Sequence, residues 1–284
     1  MKLKRFEEII GFTILGFSAV LVILILCTII FNIAFHGSGV ISWEFLMDFP
    51  REGMTRGGIF PAIIGTIFVT IITTLFSIPI GVSAAIYLSE YAEEGTLTRI
   101  IRAAIRNLAG VPSIVYGLFG VALFVQGLQF GTSVLSSGLT LGLLTLPWII
   151  TTSEEALKTV PQSYREGALA LGATKWQSIR SNVLPYALPG ILTGSILGLS
   201  RAAGETAPIL FTGVVFFLPS LPDSVFDQFM ALPYHLYILA TQHHAIEQVR
   251  PLAYGTALVL IVLVLIMNFT AIFLRFKLRK KFQA

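Results

Sequence analysis

The sequence has little charge for its length. Lys, Arg, Asp and Glu make up 12% of its 284 residues, about half the share found in an ordinary soluble domain. Apolar residues make up 55%, and the mean hydropathy is +0.83. Because so few ionisable side chains cannot cover a soluble globule of this size, the composition excludes that class and indicates an integral membrane protein.

Residues for metal binding or catalysis are also scarce. The single cysteine, Cys27, lies within an apolar run, which excludes an intrachain disulfide and a multi-cysteine metal site. No HExxH or GxSxG sequence occurs. We therefore expect no metal, no cofactor and no catalytic residue. Four histidines are expected on water-exposed outer loops: His36, His235, His243 and His244.

One stretch approaches a nucleotide-binding motif without completing it. Residues 167–174 read GALALGAT, which has the glycine spacing of a P-loop. However, Ala173 stands where that motif has its phosphate-binding lysine. We therefore predict that the chain does not hydrolyse ATP itself.

Long uncharged runs are abundant. A helix needs about 20 mostly apolar residues to cross the hydrocarbon core of a membrane. Six runs approach this requirement: 9–35, 59–88, 108–130, 135–152, 187–217 and 252–274. The predicted fold is all-α, with six transmembrane helices in a single domain over 1–284. The fourth run is the weakest because it is short and contains Pro147.

Basic residues are distributed unevenly between alternate connections. Fifteen lie in the N-terminal segment, the loops after the second and fourth runs, and the C-terminal tail. Only Arg51, Arg56 and Arg250 lie in the other connections. Because cytoplasmic loops are enriched in Lys and Arg, we expect both termini in the cytoplasm. This topology also accounts for the net charge of +4, so we expect no nucleic-acid partner.

The connection 153–186 has the pattern of two short helices separated by a glycine. Helix formers follow Pro161, Gly172 provides a stop, and Thr174 can cap a second helix that ends before Pro185. Each helix has an apolar face, formed by Tyr164, Ala168 and Leu171 on the first and by Trp176 and Ile179 on the second. Arg165 and Glu166 point elsewhere. From the pattern alone, two interpretations stay open: docking on a partner, or an amphipathic loop resting on its own bundle or on lipid.

The same loop resembles a known family. The stretch 165–185 reads REGALALGATKWQSIRSNVLP and is similar to the EAA loop of ABC importer permeases, despite departures at Gly167 and Asn182. Two further stretches, NLAGVPSIVYGL (107–118) and SRAAGETAPILFTG (200–213), resemble the A-type permease subunits of phosphate-specific importers. The resemblance assigns ATPase coupling to the loop residues Glu166, Ala168, Gly172, Trp176, Leu184 and Pro185.

A division of labour follows from this resemblance. It implies a second permease subunit of the C-type, with both permeases in the bacterial inner membrane and working by alternating access. Two cytoplasmic ATPase subunits would dock on the EAA loops. An external phosphate-binding protein would deliver inorganic phosphate. The lipid bilayer is the remaining expected partner.

Two charged residues fall within the fifth apolar run. Arg201 and Glu205 would each cost roughly 2.5–3.5 kcal/mol at the centre of a membrane helix. Their spacing would place them on one helical face, where they can form an ion pair. One interpretation is a structural pair that holds two helices together. The resemblance favours the other, in which Arg201, Glu205 and Thr206 belong to the substrate pathway and Arg201 attracts an anion whose binding Glu205 limits.

Weaker candidates lie in the second and third runs. Hydroxyl groups along the second run, with Thr70 and Thr73 as the selected residues, could line the pathway or form hydrogen bonds between helices. Pro112, Ser113 and Tyr116 lie near the start of the third run, where a gate is expected. The alternative for Pro112 is an ordinary helix start.

We therefore predict a permease subunit of an ATP-driven importer of inorganic phosphate. One alternative is the permease of a related oxyanion importer, for sulfate or molybdate. Another is an intramembrane enzyme that uses Glu205 as an acid or base, although the spans offer it no second catalytic carboxylate, nucleophile or metal cluster.

Overall fold

The computed structural model describes the backbone of residues 2–283 and the side chains of residues 11–273 and 275–277. The chain is predominantly helical. Its elements follow in this order: α1 Lys2–Ser38, α2 Trp43–Met47, β1 Pro50–Arg51, β2 Arg56–Gly57, α3 Phe60–Ile86, α4 Thr96–Leu108, α5 Ser113–Gly120, α6 Val134–Lys158, α7 Gln162–Ala170, α8 Lys175–Ser178, α9 Leu184–Ala202, α10 Ala207–Leu210, α11 Leu232–Thr241 and α12 Ile246–Gln283. The predicted basic ends include side chains outside the described set: Lys2, Lys4, Arg5, Arg279, Lys280 and Lys281.

Short irregular elements connect or extend these helices. A turn of 3-10 helix, Glu52–Met54, joins the antiparallel strands β1 and β2. Three π-helical turns are continuous with longer helices: Tyr87–Tyr91 after α3, Val121–Gly127 after α5 and Ile179–Val183 between α8 and α9.

The described residues contain five helices that are long and apolar enough to cross a membrane: Gly11–Ser38, Phe60–Tyr91, Val134–Lys158, Lys175–Ala203 and Ile246–Lys277. A sixth candidate is the pair formed by α4 and the helix Ser113–Gly127, which meet at a bend of 102°. The all-α membrane fold predicted from the sequence is confirmed.

Helix α6 is the centre of the bundle, although its run looked weakest in the sequence. The helix extends beyond the predicted 135–152 to Val134–Lys158, and more of it is buried than of the other candidate spans described. It packs between α3, α5 and α9. Because protein surrounds it on several sides, α6 needs fewer strongly apolar side chains than a helix that faces lipid.

The fifth predicted span is not one helix. Helix α9 ends at Ala202, and the chain then turns into the short helix α10 and an irregular segment that pairs Val214 with Phe229. Pro208 explains much of this break, because its ring would clash with the carbonyl of Gly204 if the helix continued. The run 187–217 therefore combines a helix with a break that hydropathy does not reveal.

The third span and the 153–186 connection also differ from prediction. The third span begins at Ser113, because the preceding residues form the separate helix α4 and a sharp turn. The second helix of the connection does not end before Pro185. It continues through the π-helical turn Ile179–Val183 into α9, since a local π adjustment can accommodate the missing proline N–H.

The bundle has two distinct ends. Helix α3 begins directly after strand β2, and Met54 of the intervening turn packs with Leu239 of α11 and Val249 of α12. The opposite end carries α4, α7 and α8. We call these the hairpin end and the α7 end. Two of the histidines expected on wet loops, His235 and His243, are instead buried at the hairpin end.

Candidate functional site

The end of α9 lies near the middle of the bundle. Three glycines of α9, one turn apart, lie against successive turns of the antiparallel helix α6: Gly190 against Ala156, Gly194 against Thr152 and Gly198 against Trp148. Extending this register by one turn places Arg201 close to the level of Thr145. Thr145 is near the midpoint of α6, so α9 breaks at about half the depth of its neighbour.

Arg201 and Glu205 meet at this break. The Nε atom of Arg201 lies 3.3 Å from Oε1 of Glu205, and their side chains are 63% and 18% exposed. Glu205 is beyond the helix, in the turn where its N–H donates to the carbonyl of Ala202, so the expected mid-helix pair is wrong. Within this chain the pair joins the last turn of α9 to the turn that follows it.

Arg201 has two sources of electrostatic compensation. It occupies the last turn of α9, where the helix carbonyls favour a positive charge. Glu205 supplies the second, although the distance is long for a charge-assisted hydrogen bond. Because most of the Arg201 side chain is uncovered, its guanidinium remains available to another anion.

The segment after Glu205 is fixed against α5. Thr206 is partly buried, and its carbonyl accepts a hydrogen bond from the N–H of Leu210 in the first turn of α10. At Gly117 of α5, a Cβ would press against the backbone of Ala207 and Pro208. The structure thus brings Arg201, Glu205 and Thr206 together within one turn of chain, supported by α5.

The two threonines selected on α3 occupy different environments. Thr73 is fully buried between α3 and α6, with its hydroxyl 2.8 Å from the carbonyl of Val69 and 3.1 Å from that of Gly138. Thr70 also bonds within its own helix, to the carbonyl of Thr66 at 2.7 Å. However, Thr70 lines a cavity of about 190 Å³.

That cavity lies beside the break in α9. Its polar lining includes Thr74, Ser200 and Asn268, and Ser200 donates a hydrogen bond to Oδ1 of Asn268 on α12. Ser200 directly precedes Arg201. Thr70 therefore shares this cavity with the residue before Arg201, whereas the contacts of Thr73 are those of helix packing.

The three gate candidates form the bend between α4 and α5. Pro112 directly precedes α5 and Ser113 is its first residue, which is the helix-start position considered above. Tyr116 is buried, and its hydroxyl donates to the carbonyl of Leu108 at 2.9 Å. Tyr116 thus holds the end of α4 against the first turn of α5.

The EAA-like loop has well-defined helix ends. Gly172 has φ of +82°, its N–H donates to the carbonyl of Leu169, and the next N–H, from Ala173, donates to the carbonyl of Ala168. These are the two bonds of a Schellman motif. Thr174 and Gln177 then form a capping box that begins α8. The near-P-loop sequence therefore forms a helix end and not a phosphate loop.

Apolar side chains project from this loop. None of the residues of α7 is buried, and Leu171 is 91% exposed. Glu166 is exposed, and Trp176 is about half exposed. Ala168 is only partly covered. The exposed apolar surface of α7 and α8 is suited to binding a partner, because these side chains are largely uncovered by the rest of the chain.

Other residues of the loop face inward. Ile179 is buried whereas Trp176 is about half exposed, so of these two residues only Trp176 contributes to the exposed surface. Leu184 packs against the core formed by Leu157 and Val183. Pro185 lies in the first turn of α9 and is partly buried.

The structure contains a buried ion pair beneath α7 that the sequence did not predict. The helical pattern indicated only that Arg165 lies off the apolar face of this helix. Arg165 donates to Oε1 and Oε2 of Glu90 at 2.7 and 3.0 Å, and to the carbonyls of Val160 and Leu157 at 2.8 and 3.0 Å. The Glu90 side chain is only 5% exposed. The pair connects α7 to the end of the α3 span, and Arg165 also bonds the last turn of α6 and the segment just after it. Its two members are 75 residues apart, so no local pattern indicates it.

A second group of charges joins α4 to α6. Nε of Arg102 lies 2.8 Å from Oε1 of Glu154, which also lies 2.8 Å from Nζ of Lys158. Arg102 also contacts Glu94 at 3.0 Å. The α7 end of the bundle is therefore held by ion pairs, in contrast to the apolar packing at its centre.

Comparison with known proteins places the chain among transport proteins. Residues 77–282 match the family described as "Binding-protein-dependent transport system inner membrane component". The probable ABC transporter permease protein YqgI of Bacillus subtilis is 30% identical over 280 residues, covering 95% of both chains. Phosphate transport system permease protein PstA 1 of Mycobacterium tuberculosis is 38% identical over 221 residues, covering 78% of this chain and 71% of that one. The probable PstA protein of Methanocaldococcus jannaschii is 33% identical, covering 93% and 92%.

Solved structures show the same fold. The inward-facing MetNI methionine ABC transporter has a TM-score of 0.62 at 18% identity, covering 76% of this chain and 94% of that one. A bacterial alginate ABC transporter has a TM-score of 0.67 at 14% identity, covering 95% and 94%. These likenesses confirm the type I ABC importer permease fold. Because the family match spans more than half of the sequence, the chain belongs to the family of binding-protein-dependent transport system inner membrane components.

Proposed function

We propose that the chain is a permease subunit of an ATP-driven importer of inorganic phosphate, located in the bacterial inner membrane. It forms part of the translocation pathway and catalyses no reaction itself. ATP hydrolysis belongs to a separate subunit, as expected for an ABC transporter permease. The observation that carries the proposal is the exposed guanidinium of Arg201 at the half-depth break of α9.

The chemistry of this position suits a transported anion. A helix that breaks within the bundle exposes backbone groups where a substrate passes, and broken helices are common at transporter binding sites. Arg201 supplies positive charge in a medium where charge is costly, which strengthens its attraction for an anion. The mostly covered carboxylate of Glu205 competes for the same guanidinium, so the anion is not held too tightly to leave.

The relatives support phosphate as that anion. Proteins named as phosphate transport system permeases share 33–38% identity with this chain over most of its length. Arg201, Glu205 and Thr206 are proposed as pathway residues, and Thr70 as a lining residue next to the cavity at Ser200. Thr73, Pro112, Ser113 and Tyr116 are proposed to position the helices around this pathway.

The partners follow from membership of the family. An ABC permease of this kind works with an ATPase subunit and a substrate-binding protein. We further propose a second, C-type permease and two ATPase subunits at the α7 end. The exposed surface with Glu166, Ala168, Gly172 and Trp176 serves as their docking site, while Leu184 and Pro185 connect it to α9.

Substrate identity is tested by transport in a defined system. The chain is reconstituted in liposomes with its co-purifying subunits and the phosphate-binding protein, and ATP-dependent uptake of radiolabelled phosphate, sulfate and molybdate is compared. We expect uptake of phosphate well above that of the other two. Preferential uptake of sulfate or molybdate would assign the chain to the related oxyanion importers. ATP-independent turnover of a substrate by the isolated chain would instead support the alternative that it is an intramembrane enzyme.

The role of the charged pair requires a separate variant. Arg201→Gln combined with Glu205→Gln removes both charges together, so neither is left uncompensated in the bundle. We expect this double variant to insert and assemble normally but to lose phosphate uptake. The matched control removes an exposed i,i+4 ion pair at the hairpin end, Arg56→Gln with Glu52→Gln, and should retain uptake. Near-normal transport by the Arg201 and Glu205 variant at equal membrane abundance would contradict the pathway role.

A further inference from the structure

Helix α4 presents two faces of opposite character. One arc is apolar and lies largely open, with Leu97 71% exposed. This arc contains Leu97, Ile100, Ile101, Ala104 and Leu108. The opposite arc carries Arg99, Arg102 and Arg106. An apolar arc of this width on a 13-residue helix indicates contact with an apolar phase, because exposing so much apolar surface to water is energetically unfavourable.

The direction of α4 places it along a membrane surface. It meets the helix Ser113–Gly127 at 102°, so if that helix crosses the bilayer, α4 runs roughly in the membrane plane. Two contacts fix the arrangement: Tyr116 bonds to the carbonyl of Leu108, and Arg102 bonds to the carbonyl of Leu88 at 2.9 Å. Leu88 lies near the end of the α3 span, at the boundary where lipid headgroups are expected.

The arginines of α4 differ in their partners. Arg102 is engaged with Glu94 and Glu154, as described above. Among the side chains that the structure describes, Arg99 and Arg106 have no ion pair, and Arg99 contacts only the hydroxyl of Thr96 at 3.4 Å. These two guanidinium groups lie two helical turns apart on the polar arc. Both remain available to anionic groups in the headgroup layer.

An apolar groove continues from α4 into the bundle. It has a volume of about 490 Å³ and lies between α4, α5 and α6. Its lining includes Ile105 and Leu108 of α4, Val115 and Phe119 of α5, and Leu143 and Leu146 of α6. The groove begins at the apolar arc and extends alongside the spans, which is the direction an acyl chain takes from a headgroup at the membrane surface.

We propose that α4 is an interfacial helix that binds an anionic phospholipid. Arg99 and Arg106 donate hydrogen bonds to the headgroup phosphate and its neighbours, while one acyl chain occupies the groove. The combination of an apolar face with a basic opposite face is typical of helices that bind anionic lipid surfaces. Through Arg102 and Glu154, the bound lipid also steadies the contact between α4 and α6. This inference does not depend on which substrate is transported.

Lipid retention tests the headgroup contact. The assembled complex is purified from nanodiscs containing phosphatidylcholine with phosphatidylglycerol, and retained lipids are identified by native mass spectrometry. We expect selective retention of phosphatidylglycerol. Arg99→Gln with Arg106→Gln should weaken that retention by roughly 30-fold, from about 5-fold per arginine at a membrane surface. Arg51→Gln with Arg56→Gln removes equal charge at the other end and should have no effect. Unchanged retention in the Arg99 and Arg106 variant would overturn the proposal.

Spin labelling distinguishes lipid from a protein partner on the apolar arc. In a Cys27→Ala background, a label at Leu97→Cys or Ile101→Cys in the assembled complex should collide readily with oxygen and poorly with a water-soluble nickel chelate. Low accessibility to both reagents would mean that another subunit covers the arc. High accessibility to the chelate would place the arc in water. Either of these results would overturn the proposal.

Discussion

Individual charged residues within the bundle differ in how their charge is compensated. Arg201 is largely exposed, and its charge is compensated by the carbonyls at the end of α9 and by a long contact to Glu205. Glu90, in contrast, is almost fully covered and has two short bonds from Arg165. A covered carboxylate requires such a partner, because burying an unpaired charge costs several kcal/mol. The first arrangement leaves a cation available to a ligand, and the second fixes α7 to the bundle.

The Glu90 and Arg165 pair predicts a non-additive response to mutation. Arg165→Gln leaves the buried carboxylate unpaired and should lower the free energy of unfolding by about 3–5 kcal/mol. Glu90→Gln with Arg165→Gln should cost clearly less, because no charge remains buried alone. A double-mutant cycle based on detergent unfolding measures the difference.

A nearby arginine provides the control for that cycle. Arg180 is exposed and has no ion pair among the side chains described in the structure. Arg180→Gln should change the free energy of unfolding by no more than about 0.5 kcal/mol. Equal losses in the single Arg165 variant and the double variant would show that the pair is not coupled in the way its geometry indicates.

His235 predicts a loss of stability in acid. Helix α11 lies outside the candidate spans, and burial, followed by the charge of His243, lowers the pKa of His235 to about 4. An unfolded chain, with a histidine pKa of about 6.5, therefore binds more protons than the folded one below that pH. The folded state should lose stability as the pH falls from 6.5 toward 4, by roughly 1.4 kcal/mol per pH unit and about 3 kcal/mol in all.

Thermal unfolding in detergent at several pH values tests this expectation. His235→Leu should flatten the decrease in melting temperature between pH 6.5 and pH 4. His36→Leu, at an exposed position on α1, serves as the control and should keep the dependence of the unmodified protein. If the His235→Leu variant kept the acid sensitivity of the unmodified protein, the loss of stability between pH 6.5 and pH 4 could not be assigned to His235.

At the scale of secondary-structure elements, breaks within helices position the candidate sites. Helix α9 breaks at Arg201, α4 turns sharply into α5, and α7 ends at Gly172. Each break has a local cause in glycine or proline. Glycine allows backbone conformations that other residues rarely adopt, and proline lacks the N–H group that would continue the helix. The break at Gly172 also exposes Leu171, so it contributes directly to the surface proposed for ATPase docking.

Two glycines of the same loop allow a matched test. Gly172 has a positive φ, whereas Gly167 lies within α7, and an added Cβ at either position meets nothing within 4 Å. Gly172→Ala should destabilise the helix end by about 1 kcal/mol through the left-handed backbone. Gly167→Ala should instead favour α7 by about 0.5–1 kcal/mol. Because neither change creates a clash, the difference isolates backbone conformation.

Hydrogen exchange of the assembled complex provides the measurement. The amides of Gly172 and Ala173 form the Schellman bonds and should exchange faster in Gly172→Ala than in Gly167→Ala. ATPase co-purification should fall in the first variant only. Normal exchange together with normal ATPase recovery in Gly172→Ala would mean that the conformation of this turn does not control docking.

For the whole molecule, the distribution of basic residues predicts a single orientation. The α7 end carries the basic connections and is expected on the cytoplasmic side, whereas the hairpin end is expected outside. In a Cys27→Ala background, Ser220→Cys should react with an impermeant thiol reagent in intact spheroplasts. Ser163→Cys, beside α7, should react only after permeabilisation. The reverse pattern would invert the proposed topology.

The fold was predictable from the sequence to the level of its class and of the helical loop. These features can be recognised in short segments, because each membrane span must be apolar along its length and must form its backbone hydrogen bonds within itself. The same local rules placed Gly172 at a helix end and Thr174 at a cap. They failed at 187–217, because an apolar run and an apolar run with an internal break have nearly the same hydropathy. The Gly204 and Pro208 signals were present there and indicate the break when read together.

The sequence by itself determined that this protein is a helical membrane permease, because composition, run length and the EAA-like motif are properties of local segments. Only the tertiary structure decided that Arg201 lies at half the depth of α6, that Glu90 pairs with Arg165, and that the apolar arc of α4 stays uncovered by the rest of the described chain. Each of these depends on which helices pack together and in what register. Such contacts join residues far apart in the chain, and their energy comes from close packing and charge compensation that no single segment contains.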